Sequence, residues 1–138
     1  MVSVGSTTSR TPSQRAGDAA EDAVAERLVA RGWAVLGRQV RVGRSELDLV
    51  AVDPGPPPAL VVVEVRWRRS RAFGLPEETV DRRKLGHLRA GVGRLVGAGR
   101  LPDGRILPDL PVRLDLVVVE PPVAPGLPGR VRHHRGIG

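Results

Sequence analysis

Two strand-like runs separated by a proline-rich break constrain this chain more than any other feature of its sequence. Ser45-Glu46-Leu47-Asp48-Leu49-Val50 opens the first run, and Val63-Glu64-Val65-Arg66 closes the second. Between them, Asp53-Pro54-Gly55-Pro56-Pro57-Pro58 cannot continue a strand. Proline lacks the N–H that a ladder requires, and glycine punctuates turns. An antiparallel hairpin folded about Pro56 sets Asp48 opposite Glu64. Directly opposed side chains have Cβ atoms about 5 Å apart, and two carboxylates at that distance repel. Either a metal cation gathers the pair or arginines from elsewhere neutralise it, and spacing alone leaves both readings open. The same register sets Glu46 opposite Arg66, which reads as an ordinary cross-strand ion pair.

Within residues 59–67, Val61, Val63 and Val65 alternate with Leu60, Val62, Glu64 and Arg66. A strand apolar on both faces is covered on both sides. The run over residues 46–53 carries Leu47, Leu49 and Ala51 on one face, with Glu46, Asp48, Val50 and Val52 on the other. A helix over residues 17–31 offers one cover, its stripe built from Ala20, Val24 and Leu28 and stopped by Gly32. Residues 33–42 read as a first strand, although Trp33, Val35, Val40 and Val42 alternate imperfectly. After a turn through Phe73-Gly74, a second helix over residues 77–96 presents Leu85, Leu88, Val92 and Leu95. Its end is weakened by Gly91, Gly93 and Gly97, at roughly 1 kcal/mol each against Ala. Residues 101–111 are loop, 112–120 a strand, and 130–134 a short edge strand. The predicted domain is α/β with an αβββαβ core over residues 16–120. A disordered tail (1–15) precedes it, and a Pro/Gly/Arg-rich tail (121–138) follows.

The net charge of +7 points to a polyanionic partner. Lys84 is the only lysine among the 22 basic residues, so the basicity also has a purely compositional reading. Aromatic side chains are confined to Trp33, Trp67 and Phe73, which disfavours modules that stack single-stranded bases. No apolar run approaches the roughly 20 residues of a membrane span. The start of the chain lacks a secretory h-region, and there is no cysteine for disulfide or thiolate chemistry. These features predict a cytoplasmic protein. His87, His133 and His134 show no metal-ligand spacing, and the glycines over 91–99 match no phosphate loop. Glu21 falls at the margin of the first helix's apolar stripe, either as a solvated glutamate or as a third acid at the sheet. Lys84 borders the second helix's stripe, and a compact ammonium titrates more readily than guanidinium.

Taken together these segments resemble the YraN-like family of bacterial proteins, assigned to the restriction-endonuclease-like, Holliday-junction-resolvase-related fold. Gly17-x-x-x-Glu21-Asp22-Ala23 is similar to the family's first-helix motif, and Glu46-Leu47-Asp48-Leu49-Val50 to its G-E-I-D-L-I, with Ser45 in the glycine's place. Val63-Glu64-Val65-Arg66-Trp67-Arg68 resembles V-E-V-K-x-R. Phe73-Gly74-x-Pro76 through Val80 to Lys84 matches F-G-x-P…V…K, and Arg113-Leu114-Asp115 the last strand.

The resemblance implies a mixed sheet flanked by helices and a PD-(D/E)XK-type site that holds Mg²⁺ or Mn²⁺. Asp48 and Glu64 would be metal ligands, with Glu21 assisting and the Val65 carbonyl contributing. Arg66 and Lys84 would join Asp48 and Glu64 in catalysis. Arg66, Arg68, Arg69, Arg71, Arg82, Arg83 and Lys84 would contact nucleic acid. The implied activity is metal-dependent cleavage of DNA phosphodiesters, in branched or damaged DNA, with a homodimer cutting two strands. One departure bears on the chemistry: the family's lysine is Arg66 here, and arginine cannot act as a base at neutral pH. The alternatives are a non-catalytic nucleic-acid-binding protein that kept the scaffold, and a protein-interaction module whose basicity is compositional.

Overall fold

The computed structural model describes residues 10–67, 82–122, 124–126 and 129–138. Helix α1 spans Pro12–Ala30 and so begins inside the predicted tail, ahead of Gly17. The cause is a capping box at Thr11. Its hydroxyl accepts from the Gln14 N–H at 3.1 Å, and the Gln14 side chain accepts from the Thr11 N–H at 2.8 Å. Pro12 occupies the first turn, where a missing N–H costs nothing, and such a cap contributes about 1 kcal/mol. Gly32 then leaves the helix at φ +88°.

Strand β1 (Ala34–Val42) pairs antiparallel with β2 (Ser45–Asp53) through the two-residue loop Gly43-Arg44. Gly43 has φ +60°, as the first position of a tight hairpin turn demands. Strand β3 (Ala59–Trp67) is antiparallel to β2 and parallel to β4 (Val112–Glu120). Helix α2 (Arg82–Ala98) lies in the crossover between them, and β5 (Arg130–His134) pairs antiparallel with β4. The result is a mixed sheet in the order β1-β2-β3-β4-β5. Residues 68–81, which include the predicted Phe73-Gly74 turn and the predicted start of α2, lie outside the described residues. So do Arg68, Arg69 and Arg71.

The two apolar faces of β3 are covered as its sequence requires. Val24, Ala25 and Leu28 of α1 pack on Leu49, Ala51, Val61, Val63 and Val117. On the other side, Leu88 and Leu95 of α2 pack on Val50, Leu60, Val62 and Leu114. Each such burial stabilises by about 1.5–3 kcal/mol. Helix α2 approaches β2 closely at Gly91, where an added Cβ would sit 2.9 Å from the Ser45 Cβ and 3.1 Å from a Leu47 methyl. The residue that weakens the isolated helix is thus required by the packing.

The end of the chain belongs to the sheet rather than to a separate tail. Beyond β5, the Ile137 N–H donates to the Leu114 carbonyl at 2.8 Å, and Arg89 donates to the Gly138 carbonyl at 3.0 Å. Among the described residues no helix is long and apolar enough to cross a membrane.

Candidate active site

The β2–β3 ladder runs from Asp53–Ala59 to Leu49–Val63, the register that folding about Pro56 predicts. Just past Leu49 the alternation of β2 breaks. Leu47 packs on the α2 side although Leu49 and Ala51, on the same strand parity, pack on the α1 side. This corrects the single face predicted for the three residues. Between Leu47 and Leu49 sits Asp48, whose carboxylate accepts the Val65 N–H at 2.8 Å. A side chain thus takes up a β3 backbone donor where the ladder to β2 stops.

Next to Val65, Glu64 is buried, with a relative exposure of 7%. Its pKa is pushed up to about 8, first by burial, then by the Asp48 charge and a hydrogen bond with Asp48. Lys84 and Arg66 oppose that rise. The two carboxyl groups are therefore close neighbours. The Lys84 ammonium, on the first turn of α2, lies 3.8 Å from Glu64. Arg66 has a buried Nε with no hydrogen-bond partner among the described residues. Exposed Arg82 and Arg83 precede Lys84 on the same turn.

On the other side of Asp48 lies a cleft of about 720 Å³, lined by Glu21, Gln39, Glu46, Asp48, Val65 and Trp67, with Arg10 and Arg41 also on its wall. Glu21 of α1 is buried, and its carboxylate accepts from the Gln39 side-chain amide. Arg38 approaches Glu21 at 3.8 Å and pairs with Asp22. Burial and the charge of Asp48 raise the pKa of Glu21, while Gln39 and Arg38 oppose the rise.

Asp48 therefore stands between two other acids, Glu64 toward α2 and Glu21 toward α1. Among the described residues no three acidic or histidine side chains already gather into a metal cage, so Glu21 stands back from the Asp48–Glu64 pair. Cations approach the two flanking acids without closing on them, Lys84 at 3.8 Å from Glu64 and Arg38 at 3.8 Å from Glu21. Two hard carboxylates side by side, one of them held by a backbone N–H, fit a small divalent cation in their donor chemistry. The predicted Glu46–Arg66 pair does not form. Glu46 lies beyond the end of the β2–β3 ladder and pairs instead with its β1 neighbour Arg41 at 3.3 Å.

A second cluster of buried acids lies on the β4–β5 side. Asp115 is fully buried and accepts from Arg113 at 2.8 and 3.0 Å, from His133 at 2.8 Å and from the Gly136 N–H at 3.0 Å. Burial would raise its pKa, but these partners outweigh it and hold the group down at about 2. Arg113 also reaches Asp53 at 2.9 Å.

The residues missed from sequence are Gln39 and Arg38, which hold Glu21. One signal was present in the imperfect alternation of residues 33–42. Two departures underlie it, a register shift between Val35 and Gly37 and a positive φ of 48° at Gln39.

A five-stranded mixed sheet between two helices, with acids where its central strands part, has the architecture of restriction-endonuclease-like α/β proteins. The particular family follows from sequence comparison. The chain belongs to the YraN-like family, described as "Uncharacterised protein family UPF0102", whose model matches residues 20–119. It is 40% identical over 121 residues to a UPF0102 protein of Symbiobacterium thermophilum, covering 87% of this chain and 91% of that one. A UPF0102 protein of Roseiflexus castenholzii is 36% identical over 105 residues, covering 76% and 78%. One from Clavibacter michiganensis is 36% identical over 109 residues, covering 79% and 85%.

Proposed function

We propose that this chain is a metal-dependent, nuclease-like protein acting on DNA phosphodiesters, with structure rather than base sequence selecting the substrate. The observation that carries this reading is the meeting of Asp48 and Glu64 at the parting of β2 and β3, beside Lys84 and Arg66. Asp48 and Glu64 would hold Mg²⁺ or Mn²⁺. Bound there, the ion would lower the pKa of a water and offset charge developing on phosphorus oxygens. The Val65 N–H orients the Asp48 carboxylate. Arg66 offers a guanidinium for bidentate contact with a phosphate but no base. Lys84 brings the ammonium that the family motif places two residues after the glutamate, and its role is to hold the phosphate or move a proton at the attacking oxygen. Arg68, Arg69, Arg71, Arg82 and Arg83 would widen the basic surface. Phosphate contacts of this kind fix position without reading bases.

A second reading has a specific observation in its favour. With Arg66 in the lysine's place and Lys84 at 3.8 Å from Glu64, the chain's own ammonium partly compensates the site. A scaffold that binds nucleic acid without cutting it would look like this. The discriminating experiment offers branched, single-stranded and duplex DNA with Mg²⁺ or Mn²⁺ to wild type, Asp48→Ala and Arg66→Lys. Cleavage by wild type, abolished in Asp48→Ala, upholds the nuclease. Metal-independent binding that weakens steeply with salt, with no cleavage, upholds the second reading. Cleavage gained only in Arg66→Lys identifies a disabled nuclease.

A further inference from the structure

We infer that Gln39 is a positioning residue, whose side-chain amide fixes the Glu21 carboxylate toward Asp48 and whose left-handed backbone serves to aim it. The consequence for cation binding rests on the metal-site reading above.

Gln39 has φ +48°, and every other positive-φ position among the described residues is glycine. Left-handed backbone costs a non-glycine residue about 1–2 kcal/mol. Among the described residues glycine supplies this conformation at every other position that needs it, and here a long amide supplies it instead. The position itself is informative. The β1–β2 pairs Arg38–Leu49 and Val40–Leu47 bracket Gln39 and Asp48, so the two residues stand opposite each other. Both strands exchange faces there. Arg38 turns to α1 and Asp22, as Leu49 does to the α1 core, whereas Val40 and Leu47 join the α2 core. The distortion that frees Asp48 from the ladder is the one that sends the Gln39 amide to Glu21.

The chemistry of the donor matters too. A buried carboxylate needs a hydrogen-bond partner. Arg38 stays 3.8 Å from Glu21 and is engaged by Asp22, leaving the neutral amide as the direct donor. An amide orients a carboxylate without cancelling its charge, and that charge is what a cation in the cleft would feel. Asp115 shows the alternative: there, a guanidinium orients and neutralises at once.

The test measures Mn²⁺ affinity, thermal unfolding and metal-free crystal structures for wild type, Gln39→Gly, Glu21→Gln and the double variant. Gln39→Gly removes the amide while relieving the backbone. We expect affinity to fall about tenfold in Gln39→Gly, within the range seen when outer-shell partners are lost. Its melting temperature should be unchanged or higher. The double variant should bind no more weakly than Glu21→Gln alone, because the effect passes through Glu21. Unchanged Mn²⁺ affinity in Gln39→Gly with a lowered melting temperature marks a purely structural role and overturns the inference. Losses that multiply in the double variant also overturn it. If wild type takes up no Mn²⁺, the metal reading fails by itself and the metal-free crystals decide about Gln39. A Glu21 carboxylate displaced from Asp48 in Gln39→Gly upholds the positioning role, and an unmoved one refutes it.

Discussion

Glu64 and Asp115 are both acids buried in the same sheet, yet their protonation is driven in opposite directions. Asp115 has a guanidinium, an imidazole and a backbone N–H directed at it, and its pKa falls to about 2. Glu64 has another carboxylate as its near neighbour and an ammonium at 3.8 Å, and its pKa rises to about 8. Burial penalises charge at both places, so the partners make the difference. One cluster is a closed structural lock joining β2, β4 and β5. The other sets two carboxyl groups side by side, with Lys84 only partly offsetting them.

The contrast is most sharply broken by deletion. Asp115→Ala should cost about 3–5 kcal/mol in urea unfolding, because it opens a buried vacancy, takes the carboxylate from His133 and leaves Arg113 only its pair with Asp53. Glu64→Gln should be close to neutral below about pH 4.5 and stabilising by about 3 kcal/mol at about pH 7, since Gln imitates the protonated acid without the proton uptake that folding demands of Glu64.

Next in size is the pH dependence, whose signs are opposite. The lowered pKa of Asp115 contributes about 2–3 kcal/mol, fully present above its ordinary value of 3.8 and lost as pH falls through about 2. Glu64 keeps its proton in the folded state up to about pH 8 but only to 4.5 when unfolded. Its contribution is present below 4.5 and declines as pH rises from there to about 8. Melting curves across that range should slope downward for wild type and lose this component in Glu64→Gln. Equal slopes in the two proteins contradict the assignment.

Smaller effects test what holds α2, and with it Lys84, against β2. Gly91→Ala should destabilise by about 1–3 kcal/mol despite a better helix propensity, because its Cβ meets Ser45 and Leu47. Gly93 faces open space, so Gly93→Ala should instead stabilise by about 0.5–1 kcal/mol. Stabilisation by both would show that α2 sits further from β2 than described.

Strand-level organisation was legible because period and punctuation encode it. The two-faced apolar run of β3 required cover on both sides, and the proline break fixed the β2–β3 register that sets Asp48 near Glu64. What escaped were features carried by single side chains. Thr11 and Gln14 start α1 early through reciprocal hydrogen bonds that hydrophobic periodicity does not register. The face exchange at Gln39 and Asp48 defeats any rule of strict alternation, and it also diverts Glu46 from Arg66 to Arg41. Gly91 looked like a weakness because propensity describes a helix alone, whereas the packing of α2 on β2 decides the residue.

If Asp48 and Glu64 together grip one divalent ion, calorimetric titration with Mn²⁺ will detect it. At about pH 7, in buffers of different ionisation enthalpy, binding should be saturable and should expel the proton retained by Glu64. That proton release should fade above about pH 8, and Asp48→Ala should abolish the binding. No saturable binding by wild type, or binding that survives in Asp48→Ala without proton release, would contradict that shared grip.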